Sequence, residues 1–410
     1  MADPASTSGA AVEQAPPARP HFPCLDAYRA IGMMMVIVFH ADFASLAHDK
    51  GILGQIIKRF DLSLAFFFVL SAFLLFRPYA VSQLSGRPPM PIRKFYRHRV
   101  LRIFPGYWFA LLGLVVVFGL RFENFGDLLT YVFILQTYTG KVFDPQYQMI
   151  YQAWSLATEL AFYLVLPLFA LWVRRRTVAR PVNDQLRFLL VACGCAFVFG
   201  VAFRIFMVST TPSWQESGIL SLPCWLDFFA IGVALATISA WMECTARDFT
   251  VLGWLGRHPA WSWVMAGVVY FGSTRYQPGT QPLKLHGVEY VTRYLLYSVV
   301  AVLFLAPGMF GNQEQGLIRR GLRSKLLVYL GTVSLGFYLF HVAIMERVQE
   351  WFGFKPFEAS FTRLLLVAVP LSVVAASISY YVVERSFLRM KRESFRVAWS
   401  KTRWARIAHR

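Results

Sequence analysis

The sequence predicts an all-α fold, a polytopic membrane helical bundle of about 10 transmembrane helices with both termini cytoplasmic. Three observations carry this reading. Of 410 residues, 57% are hydrophobic and 15% charged, with a mean hydropathy of +0.48. That is far too apolar for an ordinary soluble domain. Ten stretches of roughly 16 to 25 residues are long enough to cross a hydrocarbon core of about 30 Å as helices. Basic residues, finally, crowd into alternate loops.

The spans fall near 24–45, 62–82, 100–120, 151–173, 187–209, 218–241, 259–274, 287–308, 326–347 and 361–384. An eleventh stretch, 125–139, is short, contains Asp127 and Gln136, and would break the charge alternation. It reads as interfacial or re-entrant. Residues 1–21 carry too little apolar surface to fold and are expected to form a disordered cytoplasmic tail. They lack the basic flank and small-residue cleavage site of a signal peptide, so the first helix is expected to remain as an uncleaved anchor. Cys24, Cys193, Cys195, Cys224 and Cys244 lie in or beside apolar helices without metal-ligand spacing. Neither disulfides nor a metal is expected.

The formal net charge is +19. Loop 77–99 holds Arg77, Arg87, Arg93, Lys94, Arg97 and Arg99 with no acid; loops 174–187 and 309–325 and the 389–410 tail are also basic. The positive-inside rule then places these loops, and both termini, in the cytoplasm. Topology and attraction to anionic lipid head groups account for most of the surplus. Nucleic acid binding would need a basic soluble module, and none is present. The 93–102 cluster admits a further reading as a site for a phosphorylated cytoplasmic ligand, because arginine grips phosphate through two parallel hydrogen bonds.

Ionisable residues inside a membrane are costly and mark function by default. Arg29 and His40 stand eleven residues apart in the first span, so three helical turns bring them to one face. Counting a rise of ~1.5 Å per residue puts His40 roughly 22 Å in from the cytoplasmic face. His341 reaches a similar height, and Glu159 enters from the other side to about 10 Å below the outer boundary. Three titratable groups thus share one layer. A histidine held by a carboxylate is a common general base near neutral pH. Ser334, Tyr338 and His341 follow an i, i+4, i+7 pattern and form one polar stripe. Asp227 is a further candidate, or else a partner for Arg204 or Arg293. A packing role remains the alternative for each histidine, for Tyr338 and for Ser334.

These residues resemble the acyltransferase-3 family of bacterial integral membrane proteins, over about 22–388. Arg29 and His40 stand as the family's Arg, ten residues, His. The run FFFVLSAF at 66–73 is similar to its second helix, with Ala72 in a usual glycine position. Arg99 and Arg102 match a cytoplasmic Arg-x-x-Arg. WSLATELAFYL at 154–164 resembles Trp-Ser-Leu-x-x-Glu, with Glu159 in the acidic place and Leu160 where many members carry a second acid. SLGFYLFH at 334–341 and Val383-Glu384-Arg385-Ser386-Phe387 resemble two later motifs, the last with Ser386 in place of proline.

The resemblance implies transfer of an acyl group, often acetyl, from an acyl-CoA donor to a hydroxyl on a sugar of an envelope polysaccharide or glycolipid, in the inner (plasma) membrane of a bacterium. It makes 22–388 the membrane acyltransferase domain, between the 1–21 tail and the basic 389–410 cytoplasmic tail, and a stand-alone membrane core is expected. The expected site follows: Arg99 and Arg102, helped by Arg97, Lys94 and Arg29, hold the nucleotide phosphates of acetyl-CoA or another acyl-CoA. His40, oriented by Glu159 or another carboxylate, acts as general base or as an acyl carrier. His341 and Tyr338 handle the acceptor or stabilise the oxyanion. The competing class is a proton-coupled transporter or flippase in which His40, Glu159 and His341 form a relay. Inverted repeats would favour it, and no convincing repeat is present. A non-catalytic scaffold recruiting a partner through its basic tail is a third reading.

Overall fold

The computed structural model describes residues 22–47, 51–210, 217–275, 287–355 and 357–390. The expected 1–21 tail, and the 389–410 tail beyond residue 390, lie outside the described residues. Among the described residues the structure is all-helical. In chain order the helices are α1 (Leu25–Ser45), α2 (Gly51–Ile57), α3 (Ser63–Leu84), α4 (Ile92–Val116), α5 (Phe125–Val132), α6 (Trp154–Thr177), α7 (Val182–Val208) and α8 (Leu222–Thr245). They continue as α9 (Thr250–Arg257), α10 (Pro259–Ser273), α11 (Gly287–Met309), α12 (Leu317–Leu322), α13 (Lys325–Thr332), α14 (Ser334–Phe352) and α15 (Phe361–Ser379).

Eight of the ten expected spans are single helices long and apolar enough to cross a membrane. The stretch at 326–347 is instead a broken span, with α13 and α14 meeting at 71°. The stretch at 259–274 is a 15-residue helix; at ~1.5 Å per residue it covers about 22 Å, short of a full crossing. Among the described residues the count is therefore eight, or nine with the bent pair as one span. These helices make the chain a multi-pass membrane protein.

Local chemistry sets the helix ends. Pro91 and Pro181 precede α4 and α7, and Pro223 sits in the first turn of α8, where a missing N–H costs nothing. The Ser324 side chain accepts a hydrogen bond from the Leu327 N–H to start α13, as a helix cap should. At the other end of the broken span Gly353, with φ 65°, closes α14.

The core is centred on α3, which packs most extensively against α8. A β-carbon on Gly232 would collide with the Val69 carbonyl and the Ala72 methyl. Glycine is what lets these two backbones approach, the usual device of helix packing in membranes. Aromatic pairs fill the seam, including Phe68 on Phe229 at 4.7 Å and Phe162 on Phe229 at 4.2 Å.

Two polar arrangements lock the bundle. Arg204 on α7 binds Asp227 on α8 through both carboxylate oxygens, at 2.7 and 2.9 Å, with both side chains fully buried. Asp227 thus has Arg204 as its partner, not Arg293, which stands over the rings of Tyr290 and Tyr294. Gln83 of α3 donates to Thr177 of α6 at 3.0 Å and to Gln185 of α7 at 2.6 Å. Both arrangements are compatible with a membrane interior because each charge or amide meets a partner.

The 125–139 stretch becomes α5 followed by irregular backbone. Asn124 caps α5 by accepting from the Asp127 N–H. The Asp127 carboxylate is held by the Tyr147 hydroxyl at 3.0 Å and by Lys141 at 3.2 Å. A 3₁₀ stretch, Pro145–Ala153, then leads directly into α6.

Candidate active site

Five helices and one break build the site. α1 contributes Arg29, α4 contributes Arg99 and Arg102, α3 contributes Phe67 and Ser71, and α6 contributes Ser155, Glu159 and Tyr163. The bend between α13 and α14 brings in Ser334 and Tyr338. Together they enclose a cavity of about 250 Å³. On α3 its wall runs from Leu64 to Leu75, which at ~1.5 Å per residue is about 16 Å of the membrane's thickness. The cavity is cationic at one end and lined by leucine and phenylalanine along its side.

The three arginines are held differently. Arg29 is hydrogen-bonded to Asp26 at 2.7 Å, one turn back on α1. Arg102 lies 3.8 Å from the Glu384 carboxylate, whose side chain is 1% exposed. Arg99 stands over the Tyr163 ring, 5.8 Å from its centroid, with its Nε unpartnered. Arg97, expected beside them, is exposed on α4 and does not line the cavity; Lys94 also stands off its wall. The physical reason is helical phase: 99 and 102 are three apart and share a face, whereas 97 is two residues from 99 and points elsewhere.

Glu384 explains the closing motif. A π-helical turn, Tyr380–Glu384, interrupts the end of α15, and such extra residues in a helix re-aim side chains at functional sites. Here it directs Glu384 inward, where the Ser379 hydroxyl donates to it at 3.2 Å. Gly106 on α4 makes room, since a β-carbon there would meet the Glu384 side chain at 3.1 Å.

Beyond the cavity stand the two histidines. His40 and His341 meet edge to face, with ring centroids 5.0 Å apart. The His341 Nδ1–H donates to the Tyr338 carbonyl at 2.8 Å. A carbonyl only accepts, so this bond fixes the proton on Nδ1 and leaves a lone pair on Nε2. That Nε2 is sealed and has no hydrogen-bond partner. His40 is less enclosed, and its Nδ1 is hydrogen-bonded to the Tyr151 hydroxyl, with the two rings stacked at 5.4 Å. Tyr338 joins the two compartments. Its ring lines the cavity and lies 5.8 Å from that of His341, while its hydroxyl bonds Ser155 Oγ at 2.7 Å and donates to the Gln152 carbonyl.

The sequence layer thus divides in two. His40 and His341 come together, and Tyr338 and Ser334 join the stripe as spaced. Glu159 does not hold His40. It lines the arginine-rich cavity together with Tyr163, one turn along its own helix, whose hydroxyl meets Ser71 Oγ at 3.2 Å. A shared depth fixes height but not the direction a side chain takes around its helix. Tyr163 carried a signal, the i, i+4 spacing from Glu159. Tyr151 carried none, because the fold of the 3₁₀ stretch alone brings it to His40.

The membrane bundle thus joins a cationic cavity, through Tyr338, to a pair of imidazoles. The chain matches the acyltransferase domain that defines the acyltransferase-3 family over residues 22–383 and belongs to that family. It is similar to the acyltransferase MdmB of Streptomyces mycarofaciens, 24% identical over 406 residues, covering 92% of this chain and 94% of the relative. It is also similar to a putative acetyltransferase, ORF330, of Acidianus two-tailed virus, 25% identical over 297 residues, covering 70% and 73% of the two chains. No solved structure matches it significantly. The protein is a membrane acyltransferase.

Proposed function

We propose that this acyltransferase moves an acyl group, acetyl in the first instance, from cytoplasmic acyl-CoA to a hydroxyl on a sugar of an envelope glycolipid or polysaccharide, within the plasma membrane of a bacterium. The observation that carries the reading is the cavity itself. Its cationic end suits the donor's phosphates, and its apolar length suits an extended thioester arm. Its far wall, Tyr338, adjoins His341, which in turn meets His40. A cavity of about 250 Å³ is below the ~300–1,000 Å³ that encloses a drug-sized ligand. The nucleotide would therefore stay at the arginines while the arm enters. Arg99 and Arg102 bind phosphate, with Arg29 in support.

His40 is the proton acceptor in this scheme. It takes the acceptor hydroxyl's proton as that oxygen attacks the thioester carbonyl, a role that contributes on the order of 10²–10⁴ in rate. Tyr338 and His341 flank the reacting centre. Histidine can also carry an acyl group covalently, so the same geometry serves a stepwise transfer. The acetyltransferase named among the relatives supports a small acyl group.

The test uses the purified protein in lipid nanodiscs with radiolabelled acetyl-CoA and membranes of the host strain as acceptor. The expected result is a labelled ester in the glycolipid or glycan fraction that disappears in His40→Ala, a variant that still inserts and elutes as the wild type does. Normal acylation by His40→Ala removes that residue from the chemistry, and binding of acetyl-CoA without turnover removes the transfer reading altogether.

A further inference from the structure

We propose that Tyr151 is the positioning residue of His40, holding the imidazole in the Nδ1–H tautomer so that Nε2 is the nitrogen that takes the acceptor's proton. The inference rests on the reading of His40 as proton acceptor given above.

Four observations lead to it. The Tyr151 hydroxyl is hydrogen-bonded to His40 Nδ1, and the phenol ring stacks on the imidazole with 26° between planes. One contact sets which nitrogen is engaged, and the other sets the ring's orientation. Among the described residues no protein group bonds His40 Nε2, which leaves it for a substrate. The neighbouring His341 cannot take the same role directly, because its own Nε2 is sealed inside the bundle.

The fourth observation is how firmly Tyr151 is fixed. The next residue, Gln152, donates through its side chain to the carbonyls of Tyr338 and Leu339, at 3.3 and 3.1 Å, while its backbone carbonyl accepts from the Tyr338 hydroxyl. The 3₁₀ stretch bearing Tyr151 is thereby zipped to α14, the helix that carries His341. Tyr151 and both histidines are positioned as one unit.

The choice of a phenol has a physical reason. In hydrolases that work in water a carboxylate commonly orients the catalytic imidazole. Inside a membrane a buried carboxylate is costly. A tyrosine hydroxyl can accept a hydrogen bond from Nδ1–H while staying neutral, so it places no second charge in hydrocarbon. The site's own carboxylate, Glu159, lies instead in the arginine cavity.

The step balances as follows. The acceptor O–H proton passes to His40 Nε2 while the oxygen's electron pair bonds to the thioester carbonyl carbon. The carbon–sulfur bond then breaks, and the departing sulfur takes the proton from Nε2 to leave as the thiol. Throughout, Nδ1–H stays with the Tyr151 oxygen. The wrong tautomer in a comparable site costs on the order of 10⁴ in turnover.

The test is Tyr151→Phe in nanodiscs, which keeps the stacked ring and removes only the hydroxyl. With acetyl-CoA as donor and host membranes as acceptor, the expected result is a fall in kcat of tenfold or more with KM for acetyl-CoA within twofold of wild type. A second readout needs no turnover. Nitrogen-15 solid-state NMR of histidine-labelled protein, with His40 assigned by its loss in His40→Gln, should show Nδ1 protonated in the wild type and a move toward the Nε2–H form in Tyr151→Phe. Wild-type turnover in Tyr151→Phe, or a His40 already protonated on Nε2 in the wild type, overturns the proposal. If His40→Gln itself keeps full turnover, the catalytic reading fails while the NMR comparison still decides whether Tyr151 sets the tautomer.

Discussion

Replacing Arg99 with alanine should weaken the donor more than either of the other cavity arginines, and the structure sets the order. Arg29 already gives a 2.7 Å hydrogen bond to Asp26, and Arg102 shares its charge with Glu384 at 3.8 Å. Arg99 has no ion pair among the described residues; its guanidinium rests on Tyr163 with Nε unpartnered. Its full charge is free for a phosphate. A hydrogen bond to a charged group contributes about 1.5–3 kcal/mol, which at 1.4 kcal/mol per factor of ten is about 10- to 150-fold in affinity. Arg102→Ala should cost roughly half that free energy, since Glu384 offsets part of the charge now and is left buried without it. Arg29→Ala, a partly exposed and already paired cation, should change affinity by only a few-fold. The assay is titration of coenzyme A into each variant in nanodiscs, alongside KM for acetyl-CoA in the transfer reaction. Raising ionic strength should weaken the wild type more than Arg99→Ala, because the variant has lost the interaction that salt screens. Affinity and KM within twofold of wild type for Arg99→Ala, or Arg29→Ala as the most damaging change, would refute the phosphate assignment.

Two further substitutions probe the scaffold. Asp227→Ala leaves Arg204 buried and uncompensated in the bundle and should destabilise the protein by about 3–5 kcal/mol; thermal unfolding in detergent reads this, and replacing both partners with apolar residues should recover much of the loss. Gly32→Ala tests the cavity's width. Its β-carbon would meet the Phe67 ring at 3.1 Å, and the ring lines the cavity, so kcat/KM for acetyl-CoA should fall several-fold while the unfolding temperature changes little.

Much of the site was legible in the sequence because its residues share helices. Arg99 with Arg102, and Ser334 with Tyr338 and His341, lie at spacings that put them on one face whatever the helix packs against. Depth put His40 and His341 at one height, but their meeting was decided by the packing of α1 on α14, which the sequence does not show. Arg97 was grouped with Arg99 and Arg102 because a cluster of arginines in a loop looks uniform until helical phase separates them, and the structure sets it off the cavity wall. Glu159, or another carboxylate, was expected to orient His40 because Glu159 lies in the same layer, and the turn around α6 that takes it into the arginine cavity cannot be read from hydropathy.

By itself the sequence determined the material of the bundle. Long apolar runs must become helices in hydrocarbon, since no water is present to satisfy an open backbone, and the family's motifs fixed which helices carry arginine and histidine. Only the tertiary structure decided who holds whom. Arg204 took Asp227 because α7 packs on α8, and Glu384 reached Arg102 because a π-helical turn re-aimed it beside Gly106. Tyr151 found His40 because Gln152 ties an irregular stretch to α14. Periodicity constrains neighbours along one helix, whereas contacts between helices depend on rotation and on breaks in regular structure, which leave no periodic trace in the chain.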